Sequence, residues 1–277
     1  IANRGEVAVR IARAAADLDI ATVAVYPADD ERALHTRVAD QAVALSGQGV
    51  AAYLDGEQLV RVAQAQGCDA VHPGYGFLSE SRDFAAACAD AGLTFVGPKA
   101  DTLALLGDKA RARVLAEECQ VPVVPGTGAD TTLAQAQAFR DGLGDGATVI
   151  VKAIAGGGGR GMRIVRPGDD LAEAFKRCQA EAGAAFGNDA VYVERFIERA
   201  RHIEVQVLGD GGDAPVHLWE RECSLQRRNQ KLVEVAPSPT LSEDTRQQLL
   251  DAALRLAARV GYRSLGTFEF LVDADES

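Results

Sequence analysis

The sequence predicts an α/β protein in which a doubly wound parallel N-terminal domain precedes a small α+β domain and the start of an antiparallel C-terminal domain. From residue 1 to about residue 107, short apolar runs alternate with amphipathic stretches at the spacing of a parallel α/β unit. Prolines and a glycine in residues 121–127 then indicate a domain junction. Beyond it, strand patterns surround a glycine run, and after residue 200 polar and apolar residues alternate strictly.

Each element follows from its periodicity. Short apolar runs between polar residues predict strands at residues 21–26, 41–45, 69–72, 93–96, 148–154, 162–165, 191–196, 201–208, 216–222 and 264–272. Apolar residues at three- and four-residue steps predict helices at residues 7–19, 56–65, 81–91, 108–119, 132–142, 169–184 and 242–260. The resulting domains are residues 1–107, a linker helix at 108–123, and then 124–197 and 198–277.

Composition excludes several functional classes. With 277 residues, of which 47% are hydrophobic, the chain can bury a substantial core. A net charge of −11 argues against a nucleic-acid surface, which needs a concentrated cationic face. Because we find neither a signal peptide nor an apolar run of about 18 residues, we expect a cytoplasmic protein, or a mitochondrial matrix protein in a eukaryote, without a membrane partner.

Both ends of the sequence carry an expectation of their own. The chain begins at Ile1 and runs directly into a glycine-containing turn, although a strand leading into such a turn usually has about five residues. At the other end, the strand predicted at residues 264–272 is followed by only five more residues, of which Ser277 is the last. We therefore expect the first strand to be clipped and both ends to be fragment boundaries.

The glycine run at residues 156–161 is the most specific local feature. Its spacing satisfies the dinucleotide fingerprint, but a strand pattern follows where that fingerprint needs a helix. A P-loop would require a Gly-Lys pair, which the sequence lacks, and protein kinases place their lysine after the loop. Strand, glycine loop and strand instead predict a hairpin flap over a triphosphate, beside which Lys152 would neutralise phosphate charge.

Four further segments accompany the glycine loop: IANRGE at residues 1–6, HPGYGFLSE at 72–80, ECSLQRRNQK at 222–231 and GTFEFL at 266–271. Together, the five ordered motifs resemble the biotin carboxylase component of biotin-dependent carboxylases, which is an ATP-grasp enzyme. The resemblance implies that bicarbonate attacks the γ-phosphate of ATP to give carboxyphosphate, whose CO₂ passes to the ureido nitrogen of biotin on a carrier protein. The central domain would then be the ATP-grasp lid.

The resemblance also implies the site residues. ATP contacts are expected from Lys109, Lys152, Gly157, Gly158, Gly159, Met162, Glu194, Arg195, Phe196, Ile197, His202, Gln226, Asn229 and Leu271. Lys231 and Glu204 would be catalytic and lie near bicarbonate, and Glu269 would bind Mg²⁺ or Mn²⁺. Contacts to biotin or bicarbonate are expected from Tyr75, Gly76, Gln226 and Lys231. This sequence departs from the common family pattern at Asn229, where histidine is frequent, and at Arg195, where lysine is frequent.

Residue patterns alone leave simpler interpretations open for several of these positions. Strict alternation places His202, Glu204 and Gln206 on one strand face, which is also the pattern of a solvated face. Glu269 lies on the strand face opposite its two phenylalanine neighbours, where it could simply be solvated. Lys109 would ordinarily be interpreted as a surface lysine. The strand that contains Glu194 could be a solvated edge strand, or the backbone after Glu194 could read an adenine edge. The five cysteines lack metal-site spacing, and Cys223 is interpreted as structural.

The resemblance implies several partners: a biotin carboxyl carrier protein or domain, a carboxyltransferase, and a homodimer or larger complex. It suggests an acetyl-, propionyl- or other acyl-CoA carboxylase of fatty acid metabolism. The acceptor itself stays open between acyl-CoA, pyruvate and urea, because the carboxyltransferase selects it. The family places a second metal-binding glutamate, an asparagine, a catalytic arginine and a general-base glutamate after residue 277, so we expect this chain alone not to carboxylate biotin.

Two alternatives remain open from the sequence. Another ATP-grasp ligase, such as a carbamoyl phosphate synthetase or a purine-synthesis carboxylase, would share the flap and the metal-binding glutamate but lack the motif at residues 226–231. A non-catalytic module would bind nucleotide or contribute an oligomer surface without turnover. Nucleotide binding measured beside bicarbonate-dependent ATP cleavage separates these classes.

Overall fold

The computed structural model describes residues 1–144, 146–155, 161–212, 214–228 and 230–274. The chain divides into two compact units, of which the first comprises Ile1–Gly107, Gly209–Ala214 and Val260–Leu265. The second comprises Asp108–Leu208, Pro215–Arg259 and Gly266–Ser277. The finer division into four segments stays a prediction.

The first unit alternates helices with short parallel strands. In chain order its elements are α1 (Gly5–Ala16), β1 (Val23–Tyr26), a 3₁₀ turn (Ala28–Asp30), α2 (His35–Val38), β2 (Gln41–Ala44), α3 (Gly49–Tyr53), α4 (Gly56–Ala65), β3 (Ala70–Val71), α5 (Arg82–Asp90), β4 (Thr94–Phe95) and α6 (Ala100–Gly107). β1 pairs with β2 and β3 with β4, both in parallel. The N-terminal residues lie between these pairs, since Ile1 N donates to the Val23 carbonyl at 2.7 Å and Ala2 N to that of His72 at 2.9 Å.

This arrangement confirms the predicted α/β class, and the helices show why it forms. α4 and α5 bury one apolar stripe each, including Leu59 and Phe84, and side-chain caps begin both helices. The Asp55 carboxylate accepts from Gln58 N, and the Ser81 hydroxyl accepts from Phe84 N. Helices α2, α3 and α6 were not predicted, because they are short and lack a clear amphipathic period.

The first part of the second unit contains a three-stranded antiparallel sheet. Its elements are α7 (Lys109–Glu118), α8 (Leu133–Gly142), β5 (Val149–Ala153), β6 (Met162–Val165), α9 (Leu171–Phe186) and β7 (Val191–Arg195), and the strand order is β6-β5-β7. One sheet face contributes the fully buried Val149, Val151 and Val193 to a core with residues of α8 and α9. Alternation along the strands therefore puts Lys152 and Glu194 on the other face.

The second part of this unit is a four-stranded sheet in the order β10-β9-β8-β11. Its elements are β8 (Ala200–Asp210), β9 (Val216–Arg227), β10 (Gln230–Val235), α10 (Glu243–Arg259) and β11 (Arg263–Asp273). β9 is longer than predicted and β10 was not predicted at all, because residues 222–231 are mostly polar and carry little strand signal. In the structure β9 and β10 pair as antiparallel strands, and Lys231 lies opposite Gln226. Among the described residues, no helix combines the length and apolarity needed to cross a bilayer.

Truncation of Val151 tests whether the three-stranded sheet depends on its core face. Val151→Ala should lower the free energy of unfolding by about 2 kcal/mol, because it removes two fully buried methyl groups and leaves a cavity. Val216→Ala is the matched control on a strand position that is 50% exposed, with an expected loss within about 0.5 kcal/mol. Urea unfolding measures both changes, and equal losses would contradict this account of the core.

Candidate active site

Lys231 on β10 is the centre of a charged cluster on the four-stranded sheet. Its Nζ donates to Oε2 of Glu204 and, at 2.7 Å, to Oε1 of Glu269. Burial alone would lower the pKa of Lys231, but the hydrogen bonds to the two carboxylates outweigh burial and raise this pKa. The structure therefore brings together three of the predicted site residues around a permanently charged ammonium.

Glu204 on β8 is the buried carboxylate of this cluster. It is 4% exposed, so the expectation that its strand face could simply be solvated is wrong at this position. Burial favours the neutral acid, but hydrogen bonds from Lys231 and Arg221 lower the pKa of Glu204 overall. The side chain is thus an ionised anchor with cations on both oxygens, and such a carboxylate is a weak proton acceptor.

Arg221 on β9 was not identified from the sequence. Its Nε donates to Oε1 of Glu204 at 2.6 Å, and its Nη2 donates to Oε1 of Gln206 at 3.0 Å. The register of the sheet pairs Glu204 directly with Arg221, and this pairing explains the contact. The sequence signal was an arginine immediately before the motif at residues 222–231, and such a signal cannot be interpreted without the register.

Glu269 on β11 is the accessible carboxylate of the cluster, with a side chain that is 53% exposed. The contact with His202, whose Nε2 is 3.5 Å away, lowers the pKa of Glu269 most. Burial raises this pKa and the Lys231 hydrogen bond lowers it further, so that the pKa of Glu269 is about 2. The predicted alternation with Phe268 and Phe270 is confirmed. An ionised, accessible carboxylate fits a hard divalent cation.

His202 and Gln226 lie beside this cluster and contact each other. Gln226 Nε2 is 2.7 Å from His202 Nδ1 and donates to the Cys223 carbonyl at 2.9 Å. Because Nδ1 accepts from the amide, the ring proton lies on Nε2, which faces Glu269. Two predicted nucleotide-site residues are thus adjacent, whereas Asn229, the third in this region, lies outside the described residues.

Cys223 lies close to Glu204 and Glu234, and the three possible ligand atoms fall within 4.8 Å of one another. Burial raises the pKa of Cys223 to about 11, with the Glu204 charge adding to the effect. A protonated thiol is a poor metal ligand, and the Glu204 oxygens already contact cations. These facts support the interpretation of Cys223 as structural.

A second charged cluster surrounds Glu194 on the polar face of the three-stranded sheet. Lys152 Nζ is 2.5 Å from Oε2 of Glu194, and Arg113 Nη1 is 3.7 Å from Oε1. Lys109, at the start of α7, donates to the Ala153 carbonyl at 3.4 Å. Burial lowers the pKa of Lys109, the nearby Lys152 lowers it further, and Glu194 opposes both. The sequence did not identify Arg113, which is a helical arginine without a motif.

Gly126 explains how closely this cluster packs. A Cβ at this position would lie 2.9 Å from the Glu194 Cγ and from the Val193 carbonyl oxygen. Gly126 also forms an isolated antiparallel bridge with Glu194. The junction at residues 121–127 therefore passes directly over the carboxylate, and only glycine leaves room for it.

The segment that follows Glu194 corrects one expectation. Arg195 N donates to the Pro125 carbonyl at 2.8 Å, and Phe196 N donates to that of Thr148 at 2.9 Å. Neither N–H group can therefore read an adenine edge in this arrangement, which leaves the carbonyl groups and Ile197 for that role. Met162 lies opposite Lys152 in the sheet and is partly buried. Leu271 is exposed on the same β11 face as Glu269, while Gly157, Gly158 and Gly159 lie outside the described residues.

Tyr75 and Gly76 belong to the first unit. Asn3 Nδ2 donates to the Tyr75 carbonyl at 2.8 Å, and the Tyr75 hydroxyl donates to Glu6. Gly76 has φ +66°, a conformation that favours glycine, and Tyr75 is 64% exposed. The first and second sequence motifs therefore hold each other in place, with an accessible phenol at the surface.

Arg4 of the first motif forms a second contact within this unit. Its Nε and Nη2 each donate to one oxygen of Asp30 at 2.6 Å, and the Tyr53 hydroxyl donates to the same carboxylate at 2.9 Å. The Arg4 hydrogen bonds lower the pKa of Asp30, burial opposes them, and the Tyr53 hydroxyl adds to the lowering. This ion pair between the exposed Arg4 and the buried Asp30 joins the start of α1 to the 3₁₀ turn after β1.

Two family models match consecutive parts of the chain. Residues 1–103 match "Biotin carboxylase, N-terminal domain", and residues 108–277 match "Carbamoyl-phosphate synthase L chain, ATP binding domain". The fold and the cation clusters thus belong to the class of ATP-grasp domains. Within that class, the chain belongs to the biotin carboxylase family, as the sequence motifs predicted.

Similar proteins and structures agree with this assignment. The chain is 50% identical to the pyruvate carboxylase of Bacillus subtilis (strain 168), over 100% of this chain and 24% of that protein. It is also 50% identical to the mitochondrial pyruvate carboxylase of Homo sapiens, over 99% of this chain and 23% of that protein. The chain thus spans about a quarter of the length of these relatives.

Among solved structures, a biotin carboxylase–β,γ-ATP complex from Campylobacter jejuni has a TM-score of 0.94 at 40% identity and covers 100% of this chain and 62% of its own. The biotin carboxylase domain dimer of Hydrogenobacter thermophilus 2-oxoglutarate carboxylase has a TM-score of 0.93 at 42% identity, over 100% of this chain and 61% of its own. That structure contains MgADP, ADP and bicarbonate. The acyl-CoA acceptor and the link to fatty acid metabolism stay predictions.

The pH dependence of stability tests the Arg4–Asp30 pair. Because the folded state lowers the pKa of Asp30, the pair stabilises the fold fully above the usual carboxyl pKa of about 4, and this contribution is lost as the pH falls further. The difference in thermal midpoint between wild type and Asp30→Asn should therefore be large at pH 7 and shrink below about pH 4. Asp29→Asn, at an exposed neighbour, is the control. A difference independent of pH would contradict the ion pair.

Proposed function

We propose that this chain is the nucleotide- and bicarbonate-binding part of an enzyme that carboxylates carrier-bound biotin at the expense of ATP. The observation that carries the proposal is Lys231, which lies between the buried Glu204 and the accessible Glu269. A charged ammonium held on one side by a buried anion presents its remaining N–H donors to a small oxyanion. Family membership and the bicarbonate in the Hydrogenobacter thermophilus structure support the same assignment.

In this reaction a bicarbonate oxygen attacks the γ-phosphorus, the bond from that phosphorus to the ADP oxygen breaks, and carboxyphosphate forms. Lys231 holds the attacking anion, and Glu204 keeps Lys231 in place. The carbon–oxygen bond of carboxyphosphate then breaks to give CO₂ and phosphate, the phosphate takes the proton of the ureido nitrogen of biotin, and this nitrogen bonds to the carbon of CO₂. Tyr75 and Gly76 are proposed to contact biotin or bicarbonate, together with Gln226.

Nucleotide binding falls to the cluster around Glu194 and to the neighbouring apolar groups. Lys109 and Lys152 would contact phosphate oxygens, since Lys152 is a cation on the polar sheet face and Lys109 reaches the Ala153 carbonyl from the start of α7. Met162 and Leu271 would contact the base, and the carbonyls of residues 194–196 with Ile197 would read its edge. His202 and Gln226 would contact the nucleotide from the four-stranded sheet. Nucleotide contacts are also proposed for Gly157, Gly158, Gly159 and Asn229, which lie outside the described residues.

Glu269 is the proposed ligand of Mg²⁺ or Mn²⁺, because its carboxylate is both ionised and accessible. When bound, such an ion neutralises phosphate charge during transfer. To bind it, Glu269 gives up its contact with Lys231. Lys231 then keeps its contact with Glu204, and the N–H donor that Glu269 released becomes available to the anion.

We further propose the assembly in which this chain acts. A carrier domain would bring biotin, a carboxyltransferase would consume carboxybiotin, and a homodimer or larger complex would form, as the Hydrogenobacter thermophilus domain does. A cytoplasmic or mitochondrial location is compatible with relatives from bacteria and from mitochondria. Within the chain, residues 1–107, 108–123, 124–197 and 198–277 would be the N-terminal domain, the linker helix, the lid and the first part of the C-terminal domain.

Two measurements on the intact carboxylase test the proposed function. Release of ADP, measured with biotin present and with or without bicarbonate, reports the activity, and calorimetric titration with ATP reports nucleotide binding. We expect both ATP binding and ADP release that requires bicarbonate. If ATP binds but bicarbonate has no effect on its cleavage, the non-catalytic nucleotide-binding alternative is correct. If neither is observed, both functions are excluded.

Replacement of Lys152 tests the phosphate contact. Lys152→Ala should weaken ATP binding by about 1 to 3 kcal/mol, the usual contribution of a charge-assisted hydrogen bond. Lys176→Ala removes an exposed lysine of α9 and is the matched control, with affinity expected to stay at the wild-type value. Calorimetry on folded variants measures both, and an unchanged affinity for Lys152→Ala would return this lysine to a solvated role.

Replacement of Glu269 tests the metal contact. Glu269→Gln should raise the Mg²⁺ concentration at which ADP binding is half-maximally enhanced, because a neutral amide is a weaker ligand for a hard cation. The control is Glu198→Gln, at an exposed glutamate after β7. Calorimetric ADP titrations at graded Mg²⁺ give the answer without turnover, and identical Mg²⁺ dependence in both variants would exclude Glu269 as a ligand.

A further inference from the structure

Six residues are joined by a continuous series of five polar contacts across all four strands of the C-terminal sheet. Starting on β11, this network runs through Gly266, Gln206, Arg221, Glu204, Lys231 and Glu269. Gln206 Nε2 donates to the Gly266 carbonyl at 2.8 Å, and its oxygen accepts from Arg221. The network therefore begins and ends on β11, the strand that carries the proposed metal ligand.

The two carboxylates that contact Lys231 are held very differently. Glu204 is buried, and its Oε1 accepts from Arg221 Nε at 2.6 Å and lies 2.5 Å from Nη2. Glu269 is half-exposed, and its other neighbour, His202, is 3.5 Å away. If the Glu269 contact is lost, Lys231 keeps one carboxylate partner, Glu204. How firmly Glu204 is held then determines the position of the ammonium.

Arg221 determines which oxygen of Glu204 faces Lys231. Its Nε donates to Oε1 at 2.6 Å, its Nη2 lies 2.5 Å from the same oxygen, and this Nη2 also donates to Oε1 of Gln206 at 3.0 Å. Oε2 is then directed to Lys231. Without Arg221, the buried Glu204 would have one cation for two oxygens, and its carboxylate could rotate to share that cation.

We propose that Arg221 is a positioning residue for the small oxyanion substrate: it locks the Glu204 carboxylate so that Lys231 stays at the anion site after Glu269 has turned to the metal. Arg221 acts through Glu204 and contacts no reacting atom. The inference rests on the proposed function, because it assigns Lys231 to bicarbonate. It also predicts that the effect of losing Arg221 is specific to the anion and spares the nucleotide.

Steady-state kinetics of the intact carboxylase test this role. Arg221→Met should raise the KM for bicarbonate about tenfold or more, the range typical for loss of a residue that orients a ligand-binding side chain. The KM for ATP and the ADP affinity measured by calorimetry should change less than about twofold, which corresponds to about 0.4 kcal/mol. Arg221→Lys keeps the positive charge but places it on a single donor nitrogen, so this variant should give an intermediate KM for bicarbonate.

Arg201→Met is the matched control. Arg201 also lies on the β8–β9 sheet, pairs with a glutamate (Glu222, at 3.6 Å), and has the same side-chain exposure as Arg221, 27%. It should leave the KM for bicarbonate at the wild-type value. In addition, the Glu204→Gln and Arg221→Met effects on this KM should be less than additive when combined, because both act through one carboxylate.

The outcomes separate the inference from the proposed function. A wild-type enzyme without bicarbonate-dependent ATP cleavage would overturn the proposed function, and the inference with it. An active wild type overturns the inference alone if Arg221→Met leaves the KM for bicarbonate unchanged, if it impairs ADP binding equally, or if Arg201→Met has the same effect. If Arg221→Met fails to fold, the test passes to Arg221→Lys. An unchanged KM for bicarbonate in that variant would overturn the positioning role of Arg221.

Discussion

The candidate site depends on one constraint, the burial of an ionised carboxylate at Glu204. A buried charge is costly unless cations and hydrogen-bond donors surround it, and here Arg221 and Lys231 do so. These two cations come from the neighbouring strand β9 and from β10 beyond it. The site therefore exists only when the four-stranded sheet has its native register, so folding and site formation are one event in this part of the chain.

The second charged cluster follows the same physical logic. Burial lowers the pKa of Lys109 most and the nearby charge of Lys152 lowers it further, while Glu194 opposes both effects and contacts Lys152 and Arg113. In both clusters a carboxylate contacts a lysine and an arginine and holds them in place. Under the proposed function, such preorganisation would reduce the cost of ordering long side chains on binding. It would also let a protein with a net charge of −11 bind anions locally.

The two carboxylates that contact Lys231 divide the work by their exposure. Glu204 is buried between two cations, whereas Glu269 is accessible, as its proposed exchange of Lys231 for a metal would require. Low pKa values keep both ionised at neutral pH, Glu204 through Lys231 and Arg221, and Glu269 mainly through His202. Burial, more than residue type, thus separates the proposed anchor from the proposed ligand.

The sequence by itself determined the family, the α/β class and most elements, because glycine runs, alternating strands and motif residues are local signals. The roles that it assigned to individual site residues stay predictions. Tertiary structure alone decided that Glu204 is buried, that β9 and β10 pair in the register that places Lys231 opposite Gln226, and that Arg195 and Phe196 have already donated their N–H groups. Arg221 and Arg113 were missed for the same reason. Their importance comes from strand register and helix packing, which join residues distant in sequence and leave no local pattern.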